Sequence, residues 1–230
     1  MGLGTIVTPP LVAADRQAPR PALPPLRADL QLIADMIPAG SRVLDIGCGD
    51  GALLDHLSRT KRVDGRGMEL SQEGVNACVR HGLSVIQGDV DNDLDPYPDA
   101  AFDYVVLSQT LQATRHPKKV LESLARIGRH AIVSFPNFGH WHVRLDLLLH
   151  GRMPYNPMLA YAWYDTPNIH LCTIRDFITL ARDLGVIIEQ SLILDRSGQP
   201  WRLPAESRAA NWLGEQGIFV LSKSGPGTTV

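Results

Sequence analysis

The sequence predicts an α/β fold: a mostly parallel sheet flanked by helices, in the open Rossmann-like arrangement. Three observations predict it. Residues 43–51 read VLDIGCGDG, an apolar run that ends in Asp45, continues into Gly47, Gly49 and Gly51, and leads to the helix-compatible stretch Ala52–Ser58. A strand, a tight glycine turn and a helix form the nucleotide-cradling first unit of such a sheet. Apolar strand-like runs then alternate with helical stretches, which implies parallel strands joined by right-handed crossovers. Finally, Glu69 ends the next apolar run about 20 residues past the glycines, where this architecture binds ribose hydroxyls.

Residues 1–25 contain Pro9, Pro10, Pro19, Pro21, Pro24 and Pro25 and few large apolar residues, so a disordered arm is expected. From Arg27 to Ile37, Leu30, Ile33 and Ile37 fall at i, i+3 and i+7, an amphipathic helix closed by Pro38-Ala39-Gly40. Val43–Ile46 is the first strand and Val63–Leu70 the second, with a helix opening at Ser71 and running through Val79. Ser84–Ile86 is the third strand. Phe102–Leu107, FDYVVL, has the continuous apolar pattern of a buried fourth strand. Pro117–Ile127 reads as a helix with proline in its first turn, followed by a fifth strand, His130–Phe135. Residues 136–172, rich in proline and aromatics, interrupt the alternation as an insertion. A helix over Thr173–Leu184, opened by a Thr173 cap with Asp176 behind it, and strands over Val186–Leu194 and Gly217–Ser222 complete seven strands, the last two as a hairpin. The expected organisation is one domain over 26–225 and a flexible tail over 226–230.

The 230 residues suffice for a full core, and a formal net charge of −2 gives no support to nucleic-acid binding. Cys48, Cys78 and Cys172 are few and lack a C-x-x-C pair, which speaks against disulfides or zinc and for a reducing cytoplasm. No apolar run is long enough for a membrane span, and the N-terminus lacks a secretory pattern. The chain could form a homo-oligomer.

The glycine spacing is G-x-G-x-G, unlike the G-x-G-x-x-G of dinucleotide enzymes. With Asp45 before it and Glu69 after it, it resembles the S-adenosylmethionine (SAM) site of class I methyltransferases. On that resemblance the Gly47–Gly51 turn, with Cys48 packed inside it, offers backbone N–H groups to the methionine carboxylate, and Asp45 reaches the ammonium. Glu69, followed by Leu70, holds the ribose hydroxyls. In Gln87-Gly88-Asp89-Val90, Asp89 accepts from the adenine amino group and Val90 covers a ring face; alternatively Asp89 simply begins an acidic, solvated loop with Asp91, Asp93 and Asp95. The loop Ser108-Gln109-Thr110-Leu111, after the fourth strand, would lie with Ser108 beside the methionine part and form one wall of the acceptor pocket. S-adenosylhomocysteine would occupy the same site.

The loop Ser108-Gln109-Thr110-Leu111 lacks the N/D-P-P-Y/F motif of many amino-methylating enzymes, which argues against DNA-adenine or glutamine methylation of that type. In SFPNFGHW (134–141), Asn137 and His140 are the candidate catalytic residues, as substrate-orienting group and general base; Arg144 could assist, and a purely structural role carries equal weight. Asp165 and His170 fit a capped loop better than catalysis.

VLDIGCGDG, VIQGDVDNDL, FDYVVLSQTLQ, RHAIVSFPNFGHWHVRLDLLLHGRMP and WYDTPNIHLCTIRDF together resemble the methionine biosynthesis protein MetW family, from about Leu26 to about Asp195. The last two segments are the specific ones, because they lie outside the cofactor half. The resemblance implies a bacterial cytoplasmic protein of methionine biosynthesis, linked to homoserine O-acetyltransferase. It leaves three readings: a SAM-binding partner that supports the acyltransferase, a methyltransferase acting on an unidentified small molecule, or a generic small-molecule methyltransferase unrelated to methionine synthesis. The insertion concentrates Phe138, Trp141, Tyr155, Tyr161, Trp163 and Tyr164 with Arg144 and Arg152, residue types that dominate protein-binding hot spots. Leu145, Leu148 and Leu149 are expected to pack inward, leaving part of the aromatic set available.

Overall fold

A computed structural model describes residues 26–154 and 162–223. The expected arm and tail, and Tyr155 and Tyr161 of the insertion, lie outside the described residues. Strands β1 (Arg42–Ile46), β2 (Asp64–Glu69), β3 (Ser84–Gln87), β4 (Phe102–Ser108) and β5 (Gly128–Pro136) pair in parallel, with β1 between β2 and β4. The remaining strands are β6 (Val186–Leu194), β7 (Pro200–Trp201) and β8 (Gln216–Lys223); β8 runs antiparallel to β5, β6 antiparallel to β8, and β7 antiparallel to β6. The order is β3-β2-β1-β4-β5-β8-β6-β7. The expected seven strands are thus eight. The extra one is a two-residue edge pairing, too short to leave a periodic signal. The last long pair is antiparallel as expected but is no tight hairpin, since β7 and a helix lie between β6 and β8.

Helices α1 (Ala28–Met36), α2 (Ala52–Lys61), α3 (Gln72–Arg80), α4 (Pro117–Ile127), α5 (Trp141–His150), α6 (Ile174–Asp183) and α7 (Arg208–Leu213) surround this sheet. The strand period of two divides the core between its faces. Leu44, Ile46, Val105, Leu107, Ala131 and Val133 pack with α4 and α6. Their neighbours Val43, Val106 and Ile132 pack on the other side with Ile33 and Ile37 near or in α1 and Leu53 and Leu57 of α2. Being buried on both faces is why these strands read as continuous apolar runs.

The helix ends follow their sequence signals. Thr173 caps α6 in a capping box with Asp176, and Ser71 caps α3 by accepting from the Gly74 N–H. The C-terminal end of α1 is held from outside: the Lys61 ammonium donates to the carbonyls of Ala34 (2.6 Å) and Ile37 (2.7 Å), a cation placed where the helix dipole is negative.

The insertion corrects one expectation. Leu145, Leu148 and Leu149 do not pack inward. Leu148 is 80% exposed and Leu149 65%, and Val143 is the buried residue of α5. Trp163 and Tyr164 are exposed as well, at 73% and 76%.

Candidate functional site

The carboxyl ends of β1, β2, β3 and β4 meet at the glycine turn, and the turn's geometry depends on glycine. Gly47 has φ +70°, and a Cβ there would stand 2.6 Å from Thr110 Oγ1. Gly51 has φ +83°, and a Cβ would collide with Leu83. Both strain and clash exclude a larger residue. The turn is fixed to β2 by Glu69, whose Oε2 accepts from the Gly49 N–H (2.9 Å) and whose Oε1 accepts from the Ser71 N–H (2.9 Å).

Beside it opens a cleft of about 300 Å³, lined by Gly47, Glu69, Leu70, Asp89 and Val90 among others. Thus five of the nine residues expected at a cofactor line one cavity. Leu70, exposed, and Val90, partly buried, are apolar members of the lining. Asp89 has the dual character the sequence left open: it lines the cleft, and it also accepts from the Asp91 N–H (3.0 Å) and the Asn92 amide (2.8 Å), tying its own turn.

The other four lie behind the lining. Asp45 is buried at the end of β1, and burial first, then the Glu69 charge, push its carboxyl up to about 7, while Arg27 pulls it down. Among the described residues no hydrogen bond reaches this carboxylate. Gly49 is the donor to Glu69. Cys48 packs with Leu54 and Cys78, its sulfur 3.9 Å from that of Cys78; the contact with Cys78 and burial raise its thiol well above the ordinary range, which suits a packing residue and not a nucleophile. The Ser108 hydroxyl meets that of Ser134 (3.1 Å), bracing β4 on β5.

One contributor escaped the sequence reading, and a second comes from the Ser108–Leu111 loop that the sequence places beside the methionine part of SAM. Asp91 is buried, and its carboxylate accepts from the N–H groups of Arg115 (2.8 Å) and His116 (2.9 Å) at the start of α4, closing one wall. Thr110, also in the lining, follows Gln109, whose φ of +50° is unusual for a residue with a side chain. That conformation is held by the Gln109 amide donating to buried Asp29 (3.1 Å), which also accepts from Arg27 and Gln216.

The family model for methionine biosynthesis protein MetW matches residues 27–221. The chain belongs to the MetW family. The bifunctional methionine biosynthesis protein MetXA/MetW of Rhodopirellula baltica is 38% identical over 187 residues, covering 76% of this chain and 30% of the relative. The chain therefore spans about a third of that relative's length. Among solved structures, a SAM-dependent methyltransferase from Archaeoglobus fulgidus aligns with a TM-score of 0.60 at 16% identity, over 85% of this chain and 92% of that one. The [4+2]-cyclase SpnF aligns with a TM-score of 0.58 at 16% identity, over 84% and 80%. At such identities the likeness shows the class I methyltransferase fold, and the cyclase shows that the fold serves other chemistry too.

The candidate catalytic pair of this MetW-family chain is not brought to the cleft lining. Asn137 is buried with its amide fully used: it donates to the carbonyls of Asn211 (3.0 Å) and Gly214 (2.7 Å) and accepts from the N–H groups of Gly139 (2.9 Å) and Ile174 (3.2 Å). His140 caps α5, its Nδ1 accepting from the His142 N–H (3.3 Å), and burial lowers its pKa. Arg144 donates to the Gly139 carbonyl (2.6 Å). His170 approaches the Arg115 carbonyl at 3.4 Å, a loop contact. Among the described residues no cluster of His, Cys, Asp or Glu could hold a metal, and no helix is long and apolar enough to cross a membrane.

Proposed function

We propose that this MetW-family protein binds SAM or S-adenosylhomocysteine in the cleft at the glycine turn and supports homoserine O-acetyltransferase in the cytoplasm. The observation that carries the cofactor reading is the donor set. A buried carboxylate without a hydrogen-bond partner, Asp45, stands beside a second one, Glu69, at a glycine turn. A buried carboxylate next to a second negative charge is costly unless a cation arrives, and the amino-acid ammonium of SAM is such a cation. Leu70 and Val90 offer apolar walls to a flat base, and the Glu69 oxygens keep lone pairs free for ribose hydroxyls. SAM bound here would supply an electrophilic methyl group.

What the chain's own residues do is bind and orient. Asn137 has no donor or acceptor left for a substrate, and His140 is engaged in capping a helix, so neither is free to move a proton at the cleft. That favours a protein that reads SAM over one that consumes it. The relative whose name joins MetXA to MetW in one polypeptide supports the partner, since fused activities commonly act together. Methyl transfer to an unidentified small molecule is the second reading, favoured by the open cleft itself.

The experiment is a pull-down of the tagged protein from its host, with mass spectrometry for an acyltransferase and for bound SAM or S-adenosylhomocysteine. Recovery of both supports the first reading. Nucleoside without acyltransferase moves the case to the second, and neither one defeats both.

A further inference from the structure

A second cavity, of about 480 Å³, shares no lining residue with the cofactor cleft. Its walls come from three helices: Arg144 of α5, Arg175 and Arg182 of α6, and Arg208 and Trp212 of α7. Glu206 is the single acid in the lining, so four guanidinium groups against one carboxylate leave three positive charges unbalanced. The chain as a whole carries −2, so this concentration is local.

The arrangement is not a set of ion pairs. Among the described residues, Arg175, Arg182 and Arg208 make no salt bridge to a carboxylate, whereas Arg42, Arg59 and Arg126 each do. Arg144 is braced instead, by the Gly139 carbonyl and by the Trp212 ring, whose centroid lies 5.0 Å from its guanidinium carbon. Arg175 and Arg182 stand seven residues apart, two turns along one side of α6, with Ile178 between them at the floor of the cavity, while Ile174 and Phe177 bury the other side. Like charges gathered into one concavity repel one another, and the repulsion is relieved when an anion enters. A guanidinium fork fits phosphoryl oxygens in pairs, and the volume falls in the range of about 300–1,000 Å³ typical of small-molecule sites.

We infer that this groove binds a small organic diphosphate of the nucleotide class, its phosphoryl groups held by Arg175, Arg182 and Arg208 and its base lying near half-exposed Trp212. A diphosphate brings two to three negative charges in a small volume, matching the unbalanced lining, and Trp212 offers an aromatic surface that inorganic phosphate would not use.

Calorimetry on the full chain tests this with ADP, with inorganic pyrophosphate, and with ADP in the presence of saturating S-adenosylhomocysteine. Both anions should bind, ADP more tightly. The Arg175→Gln/Arg182→Gln pair should weaken both by about tenfold or more, and Trp212→Leu should weaken ADP but not pyrophosphate. If the double variant melts early, exposed Arg208→Gln takes its place. No binding of either anion, unchanged binding in the arginine variants, or loss of ADP binding to S-adenosylhomocysteine would overturn the inference. So would an oligoglutamate peptide that binds tighter than ADP and displaces it, since the groove would then be a protein-docking surface.

Discussion

Asp45 and Glu69 set two carboxylates at the ends of adjacent strands, and the Glu69 charge adds to burial in lifting the Asp45 carboxyl to about 7. Glu69 is occupied in holding the glycine turn through Gly49 and Ser71. Asp45 is spent on nothing comparable, so it burdens the ligand-free protein and becomes useful when a cation joins it.

That burden makes a pH prediction. The folded pKa of Asp45 lies above its usual 3.8, so the native state binds this proton more tightly than the unfolded chain. Stability from this group is therefore greatest at low pH, falls as pH rises from about 4 to about 7, and is flat above. At about 1.4 kcal/mol per pH unit, the cost at pH 8 is of order 4 kcal/mol as an upper bound. Asp45→Asn should raise the melting temperature by the full effect at pH 8 and by less than half as much at pH 5, where only part of the cost has built up. An equal gap at both values would show that Asp45 does not titrate as argued.

Glu69→Ala removes the acceptor expected to hold two ribose hydroxyls and frees the Gly49 and Ser71 N–H groups. SAM affinity should fall by about 2–3 kcal/mol, read by calorimetry. Glu69→Gln keeps an acceptor and should lose less. If the wild type binds neither SAM nor S-adenosylhomocysteine, the cofactor reading fails outright.

The sheet was legible because its strands carry strong local signals. FDYVVL is buried on both faces, and the glycine turn interrupts an apolar run at a place where only glycine fits. The elements that were missed lack such signals. β7 has two residues and α7 six, below any readable period. α5, WHVRLDLLLH, has apolar residues on every side, and the run of leucines suggested burial that the fold does not provide. At the site, Asp89 and Glu69 stand at fixed offsets from strand ends. Asp91 looked like one more loop acid because its partners, Arg115 and His116, lie 24 and 25 residues away and no spacing rule connects them. Asn137 drew notice as an unusual polar residue; its reason is packing geometry between α6, α7 and the end of β5, visible only in three dimensions.

Asn137→Ala would therefore act on stability. It strands the N–H groups of Gly139 and Ile174 and the carbonyls of Asn211 and Gly214 in a buried setting. The loss should exceed about 2 kcal/mol, measured by denaturant unfolding, with SAM affinity unchanged in the folded fraction. A stable variant that lost only a methyl-transfer activity would restore Asn137 to a catalytic role.

Macromolecular methylation is not expected. The chain lacks the N/D-P-P-Y/F motif and has no net positive charge, and the candidate general base His140 is engaged in capping α5. Labelled SAM incubated with the protein and bulk nucleic acid or cell protein should transfer no label above a heat-killed control. Robust labelling of any such polymer would refute this.

Trp163 and Tyr164 are the test of the partner surface. Their rings contact each other edge-on, 5.6 Å between centroids, yet 73% and 76% of each residue is exposed. Nearby in sequence, Ile169 and Leu171 are exposed too, as are Leu148 and Leu149 on α5. Large exposed apolar groups gathered in one insertion are unusual on a free surface and common where a partner docks. Because neither ring is part of the core, Trp163→Ala and Tyr164→Ala should leave the melting temperature within about 1–2 °C of wild type, as surface changes do. Each should weaken co-purification with homoserine O-acetyltransferase. Undiminished co-purification with both variants would place the docking surface elsewhere, and a collapsed melt in both would mean that these rings support the fold after all.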